Sequence, residues 1–318
     1  MRRMKFLHLI VPLPGQLERI QQIASRVAPS LLKLLRRGDA LKPATGYSAT
    51  LCAAFGITPQ QDWPMAPICA AAEGLSANDY WLRLDPVHLE VGMGGLLMHP
   101  PGNLNLSLPE AHALIADINR HWHDQRLAIQ AVSPTRWYLH LNEAPNLHTT
   151  PIDQMVGEYL TPCLPRGADA RPYLKLINEV QMLMHTHPVN LARENAGQPA
   201  VNGLWLWGGG RLPTCKSTFD LVAADGFEAQ ALARLAGCRY APPPNALSDL
   251  DASGRALVAL APADAHGDIE STLAKLEQDW FRPALRQLAW GRIQRLRLDL
   301  IGQRAVSLTP AQTWRFWR

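Results

Sequence analysis

The chain has 318 residues, 47% of them hydrophobic and 18% charged, and a formal net charge of +4. That length allows a large core and two domains, while so mild a charge argues against a dedicated nucleic-acid binder with its concentrated basic face. Five scattered cysteines without a C-x-x-C pair read as reduced thiols of a cytoplasmic protein, and no segment is long and apolar enough to span a bilayer.

The start, MRRMKFLHLIVPLPG, mimics a signal peptide, but its apolar run is short, proline interrupts it and no small-residue cleavage site follows. Phe6–Val11 therefore reads as a first buried strand. Gln16–Val27 is helical, with Leu17, Ile20 and Ile23 on one stripe, and Pro29 restarts a turn that runs to Gly38. SATLCAAFGITP adds a short helix ending at Gly56. Leu96–Met98 and Trp137–Leu141 read as strands. Leu108–His121 is a helix with Ala111, Leu114, Ile115 and Ile118 on one face, and DARPYLKLINEVQMLMHTHP is another, ended by Pro188.

The last third alternates strand and helix. FDLVAADG is strand then loop, Glu228–Leu235 is a helix stopped by Gly237, and ALVALAP is a buried strand. A long helix from Ile269 carries an allowed kink at Pro283. IQRLRLDL alternates leucines with Arg295, Arg297 and Asp299, which predicts a half-exposed or edge strand. Most of the ten tryptophans are expected in the core or on sheet faces.

VNGLWLWGGGRLP, Val201–Pro213, reads as an interior strand apolar on both faces, followed by a turn at Gly208, Gly209 and Gly210 with open backbone amides. It fits neither a dinucleotide loop nor a P-loop: the last glycine position of G-x-G-x-x-G is Pro213, and no glycine precedes Lys216. Ligands of open α/β sheets bind beyond the carboxyl ends of strands, which makes these glycines a candidate site.

Arginine's fork suits phosphate or carboxylate. Arg193 is one candidate, with a salt bridge to Glu194 or Glu179 as the alternative. Arg83 and Arg136 sit in apolar stretches, where burial demands a partner. Asp264, His266 and Asp268 follow a buried strand; they read either as metal ligands or, for Asp268, as the N-cap of the next helix. His185 and His187 point different ways on a helix and do not share a metal easily.

DWPMAP, LRLDPVHL, RWYLHL, the long INEVQMLMHTHPVNLARENAGQPAVNGLWLWGGGRLP stretch and the closing WRFWR resemble the RpfE-type regulatory proteins of bacteria. HPVNLARENAGQPAVNGLWLWGGG also resembles a stretch of archaeal-type cofactor-independent phosphoglycerate mutases, of the alkaline phosphatase superfamily. This likeness implies an α/β core with a mostly parallel sheet, helices on both faces and an inserted smaller α+β domain. It also implies phosphoglycerate-binding side chains at Arg83, Arg136, Asn190 and Arg193. Departures accompany the matches. The mutases' first metal carboxylates have no counterpart in VPLPG, Tyr47 stands at the nucleophile's place with Ser48 one residue on, and Asp299 lacks its histidine partner.

The expected organisation is a core of residues 1–85 and 188–318 with an insert at 86–187. The expected role is non-catalytic, regulatory binding of a small phosphorylated or carboxylate anion, or of a protein partner, without cofactor, nucleic acid or membrane. The alternative is a divergent phosphoglycerate mutase or phosphotransferase with a Mn or Zn pair, using Ser48, Asp264, His266 and Asp268.

Overall fold

The structure is a computed structural model that describes residues 3–93, 95–99, 101–123, 127–155, 158–215, 219–251, 254–261 and 268–315. The chain forms two compact units, Met1–Gly56 with Cys215–Arg318, and Ile57–Thr214. Among the described residues no helix is long and apolar enough to cross a membrane.

The first unit opens with β1 (Met4–Val11), α1 (Leu17–Val27), α2 (Pro29–Arg37), β2 (Asp39–Leu41) and α3 (Tyr47–Ala54). The second unit then contributes α4 (Met65–Ala72), β3 (Tyr80–Val87), β4 (Leu89–Gly92), β5 (Gly95–Met98) and α5 (Leu108–His121). It continues through β6 (Ile129–Ser133), β7 (Arg136–Leu141), α6 (Ala170–His185), α7 (Pro188–Asn195) and β8 (Gly203–Gly210). The chain returns to the first unit with β9 (Leu221–Ala223), α8 (Phe227–Leu235), β10 (Arg239–Ala241) and β11 (Gly254–Ala259). It ends with α9 (Ile269–Leu276), α10 (Arg282–Ala289), β12 (Leu296–Leu300) and β13 (Arg304–Leu308).

In the first unit a seven-stranded sheet has the order β10-β9-β11-β1-β12-β13-β2. It is parallel from β10 through β12, and β13 runs antiparallel to both its neighbours. Strand alternation decides what each face buries. Leu7, Leu9 and Val11 of β1 pack with Ile20, Leu31, Leu34, Leu273 and Leu288 from the helices on one side. Each such leucine, fully buried, contributes roughly 1.5–3 kcal/mol. On the other side Phe6 stacks on Phe219, which meets Phe55 edge-on just beyond α3.

The predicted kink near Pro283 is a π-helical turn, Glu277–Phe281, between α9 and α10. It serves α2. The N-cap of α2 is Ala28, whose side chain caps nothing, and the buried Glu277 carboxylate accepts from the Ser30 amide at 3.1 and 3.3 Å instead. A carboxylate at a helix N-terminus satisfies an orphan donor and complements the helix dipole.

The second unit has a four-stranded antiparallel sheet of order β6-β7-β3-β8. Leu82, Leu84, Leu139, Leu204 and Leu206 face a helical layer that supplies Leu114, Ile118, Val180 and Met184. The predicted α5 face is the one observed, and Ser107 and Glu110 close a capping box at its start. The hairpin β4–β5 forms a separate two-stranded sheet.

Three expectations change. The sequence reading put the unit boundaries at 86 and 187; the compact units divide near 57 and 214, because β3 and β8 pair with each other and not with the parallel sheet. β8 is buried on both faces, as its composition predicts, but it lies at the end of an antiparallel sheet, not inside a parallel one. β12 is not an edge strand: it sits between β1 and β13, because Arg297 and Asp299 neutralise each other within the sheet. Most described tryptophans are buried, as expected, with Trp290 and Trp314 exposed.

Candidate anion-binding site

On β3, alternation sends Tyr80, Leu82 and Leu84 to the helical layer, which leaves Trp81, Arg83 and Asp85 on the opposite face. Register places Tyr138 of β7 and Trp207 of β8 on either side of Arg83. The guanidinium lies 5.5 Å from the Tyr138 ring centroid and 5.2 Å from that of Trp207. Such cation–π contacts add attraction that grows when water is excluded. Arg83 also donates to both oxygens of Asp85, from Nε at 2.8 Å and Nη2 at 2.9 Å. The Trp207 indole N–H donates to Asp85 at 2.7 Å.

The network continues outward. The Tyr138 hydroxyl donates to Glu73, just past the end of α4. Arg136 donates to the same carboxylate from Nε at 2.8 Å and Nη2 at 2.6 Å. Burial pushes the Tyr138 hydroxyl far above its ordinary value, and the nearby Glu73 carboxylate adds to the shift. The four charges cancel in two pairs. Arg83 is sealed inside, whereas the Arg136 side chain keeps 25% of its exposure. Arg136 is thus the arginine of this face that reaches solvent.

Asn190 and Arg193 lie elsewhere, with the helical layer. Asn190 donates to the carbonyls of Met184 and Val201 and accepts from the Val201 amide. Arg193 donates to the carbonyls of Pro199 and Leu104 and to Glu110. Its ion-pair partner is therefore Glu110, not the predicted Glu179 or Glu194. These two residues clamp the turn that leads into β8. The sheet separates them from Arg83 and Arg136, so the structure brings the four together only in pairs.

Gly208, Gly209 and Gly210 are residues of β8, not of a turn beyond it, and all three are buried. A Cβ at Gly209 would sit 2.6 Å from Leu82 Cδ2, and one at Gly210 2.6 Å from Pro64 Cβ. Gly208 adopts φ +71° with the Ala66 amide 3.3 Å from its Cβ position. The glycines let α4 and the neighbouring strand approach closely.

In the first unit Ser48 is buried in the first turn of α3. Asp268 is the N-cap of α9 and accepts from the amides of Glu270 and Ser271, both at 3.1 Å. Asp264 and His266 lie outside the described residues. Asp299 accepts from His8 at 2.5 Å and from Arg297 at 2.6 Å. Burial alone would raise the Asp299 carboxyl, but those hydrogen bonds and charges hold it below its ordinary value. Burial lowers His8, against the pull of Asp299. Asp299 is thus already balanced by Arg297, and burial favours the neutral form of His8. Among the described residues, which do not include Asp264 and His266, no group of three His, Cys, Asp or Glu side chains could hold a metal ion.

Sequence reasoning missed Asp85, Glu73, Tyr138 and His8. The signal for two of them was present: Arg-Leu-Asp and Arg-Trp-Tyr put i and i+2 on one strand face. Glu73 and His8 carried no such signal, since each finds its partner across the fold.

No family model matches the chain. The chain is similar to 2,3-bisphosphoglycerate-independent phosphoglycerate mutases. It is 30% identical to that of Methanosarcina mazei over 179 residues, 54% of this chain and 43% of that protein. It is 29% identical to that of Methanosarcina acetivorans over 226 residues, 69% of this chain and 54% of that protein. The chain spans about half the length of these relatives. A solved cofactor-independent phosphoglycerate mutase from Thermoplasma acidophilum superposes with a TM-score of 0.45 at 16% identity, covering 97% of this chain and 90% of that one. By sequence, the chain is distantly similar to the cofactor-independent phosphoglycerate mutases.

Proposed function

We propose that the chain is a binding protein derived from a phosphoglycerate-mutase-like ancestor with an alkaline-phosphatase-like core, and that it recognises a small phosphorylated or carboxylate anion without turning it over. The observation that carries this reading is the state of the groups that chemistry would need. Ser48 is buried, and Asp299 is neutralised by Arg297 and held by His8. A phosphoryl transfer needs an exposed, activated nucleophile and stabilised charge on the moving group. Arg136 supports the binding half: it is the solvent-facing member of an arginine-rich face, and an arriving anion would share its guanidinium with Glu73. A regulatory role rests on the RpfE-type resemblance alone.

The test is a thermal-shift titration of the purified chain with 3-phosphoglycerate, 2-phosphoglycerate and inorganic phosphate. A ligand at 100 times its Kd stabilises by about 2.7 kcal/mol. The expected result is a concentration-dependent shift that Arg136→Gln abolishes, with no mutase turnover in Mn²⁺ or Zn²⁺. Turnover that depends on a divalent ion and disappears in Ser48→Ala overturns the proposal in favour of a divergent phosphotransferase.

A further inference from the structure

A second polar site lies at the open end of the β4–β5 hairpin. Leu89 pairs with Met98, so His88 and His99 stand opposite each other one step beyond the last pair. The His99 amide donates to the His88 carbonyl at 3.0 Å and extends the ladder to them. Glu90 is two residues from His88 and so projects from the same face. These three side chains, with Asn103, Leu104 and Pro199, line a cleft of about 360 Å³.

Hydrogen bonds fix the tautomer of each imidazole. His88 Nδ1 lies 2.8 Å from the Ala200 carbonyl, which can only accept, so Nδ1 carries the proton and a neutral ring has its lone pair on Nε2. His99 Nε2 lies 2.5 Å from the Glu90 carboxylate, so Nε2 carries the proton and a neutral ring has its lone pair on Nδ1. Metal-bound histidines show this arrangement: one ring nitrogen on the ion, the other donating to a carbonyl or carboxylate. The ring centroids are 5.4 Å apart. Two imidazoles on one tetrahedral ion, with metal–nitrogen bonds of about 2 Å, place their centroids roughly 5 Å apart.

The backbone beneath the cleft is rigidly held. Asn202 hydrogen-bonds both the amide and the carbonyl of Leu89. The buried Arg193 ties Pro199 to Leu104, both on the cleft wall, and Asn190 anchors Val201 beside Ala200. This gives the clamp of Asn190 and Arg193 a purpose beyond its own turn.

We propose that His88 and His99 bind a divalent transition-metal ion of the zinc type, with Glu90 as the positioning residue that holds the His99 tautomer. Among the described residues no group of three His, Cys, Asp or Glu side chains could hold a metal ion, so the proposed site takes two protein ligands and leaves its remaining positions to others. Water, the Asn103 amide oxygen or an acidic group of a ligand takes the remaining positions. The site shares no residue with the Arg136 network, and it stands or falls independently of the proposed anion binding.

The test uses the full chain, freed of metal by chelation and titrated with Zn²⁺ by calorimetry. One ion is expected to bind in the micromolar range. His88→Asn and His99→Asn are each expected to weaken it at least ~10-fold, and Glu90→Gln by about 10-fold, while His140→Asn leaves it unchanged. A second measurement needs no variant: in ¹⁵N-histidine-labelled protein, Zn²⁺ shifts His88 Nε2 and His99 Nδ1, the nitrogens that accept the ion. Absence of Zn²⁺ binding below about 100 µM overturns the proposal. So does binding that survives both histidine substitutions, or that leaves both of those ¹⁵N resonances in place.

Discussion

Arg83 and Asp85, two residues apart on β3, close a doubly hydrogen-bonded ion pair inside the protein, at 2.8 and 2.9 Å. The same tripeptide, Arg-Leu-Asp, recurs at Arg297–Asp299 on β12 and forms the same pair within its strand. Strand alternation makes the motif work: the arginine and aspartate share a face and the leucine between them buries on the other. Removing one partner of a buried pair leaves an uncompensated charge, at a cost of about 3–5 kcal/mol. Arg83→Met is expected to destabilise the second unit by that amount. Arg83→Met with Asp85→Leu should be far milder than the sum of the single changes. Hydrogen exchange of β3 and β8 amides reads the effect locally, which suits a chain of two units. Additive single and double changes would show that the pair is not coupled.

Asp299 also joins β12 to β1 through His8, and this contact carries a pH signature. Burial holds His8 below its ordinary value, so between that lowered value and about 6.5 the unfolded chain binds a proton that the folded chain refuses. Stability therefore falls as pH drops through this window. Asp299 is shifted downward as well, and its contribution is lost only below the ordinary carboxylate range. His8→Gln can still donate to Asp299 but takes up no proton. Its urea midpoint should vary less between pH 7 and pH 5 than that of the parent chain. Parallel pH curves would count against a neutral His8.

Glu277 links a helical irregularity to the start of another helix. Its carboxylate, on the first residue of the π turn, accepts from the buried Ser30 amide of α2. Glu277→Ala would leave the N-terminus of α2 without this acceptor. Loss of a helix cap costs ~0.5–2 kcal/mol, and burial places this one toward the upper end. Glu277→Gln keeps an acceptor oxygen and should cost less. Amide exchange at Ser30 distinguishes the two, and equal protection in both variants would deny Glu277 its capping role.

Much of the architecture is legible because one-dimensional periodicity reports it. The stripe on α5 needed only its 3.6-residue repeat, and the cap at Asp268 only the residue type before an apolar run. The pairing of β3 with β8 was not legible, since these strands are more than a hundred residues apart and nothing local says which sheet receives them. Charged alternation on β12 misled for a related reason. A strand whose charges cancel among themselves and a neighbour's histidine can sit inside a sheet, and sequence shows the charges without their partners. The arginines are legible by type, whereas a partner such as Glu73 is brought to them only by the fold, so sequence alone overstates the positive charge of this face.

The glycines of β8 give the sharpest test of packing against ligand contact. At Gly209 an added Cβ would lie 2.6 Å from Leu82 Cδ2 and 2.8 Å from the Tyr80 hydroxyl oxygen. Overpacking of this kind typically costs 1–3 kcal/mol. Gly237, by contrast, has φ +66° and nothing within 4 Å of its Cβ position, so Gly237→Ala meets backbone strain alone, roughly 1 kcal/mol. Gly209→Ala should therefore be the more damaging change, although its backbone is not left-handed. Its damage should be partly relieved by Leu82→Ala, which removes the nearest clashing atom while opening a cavity of its own. A Gly209→Ala chain that keeps its stability but loses an anion-induced thermal shift would mean that the glycine amides face a ligand and not Leu82.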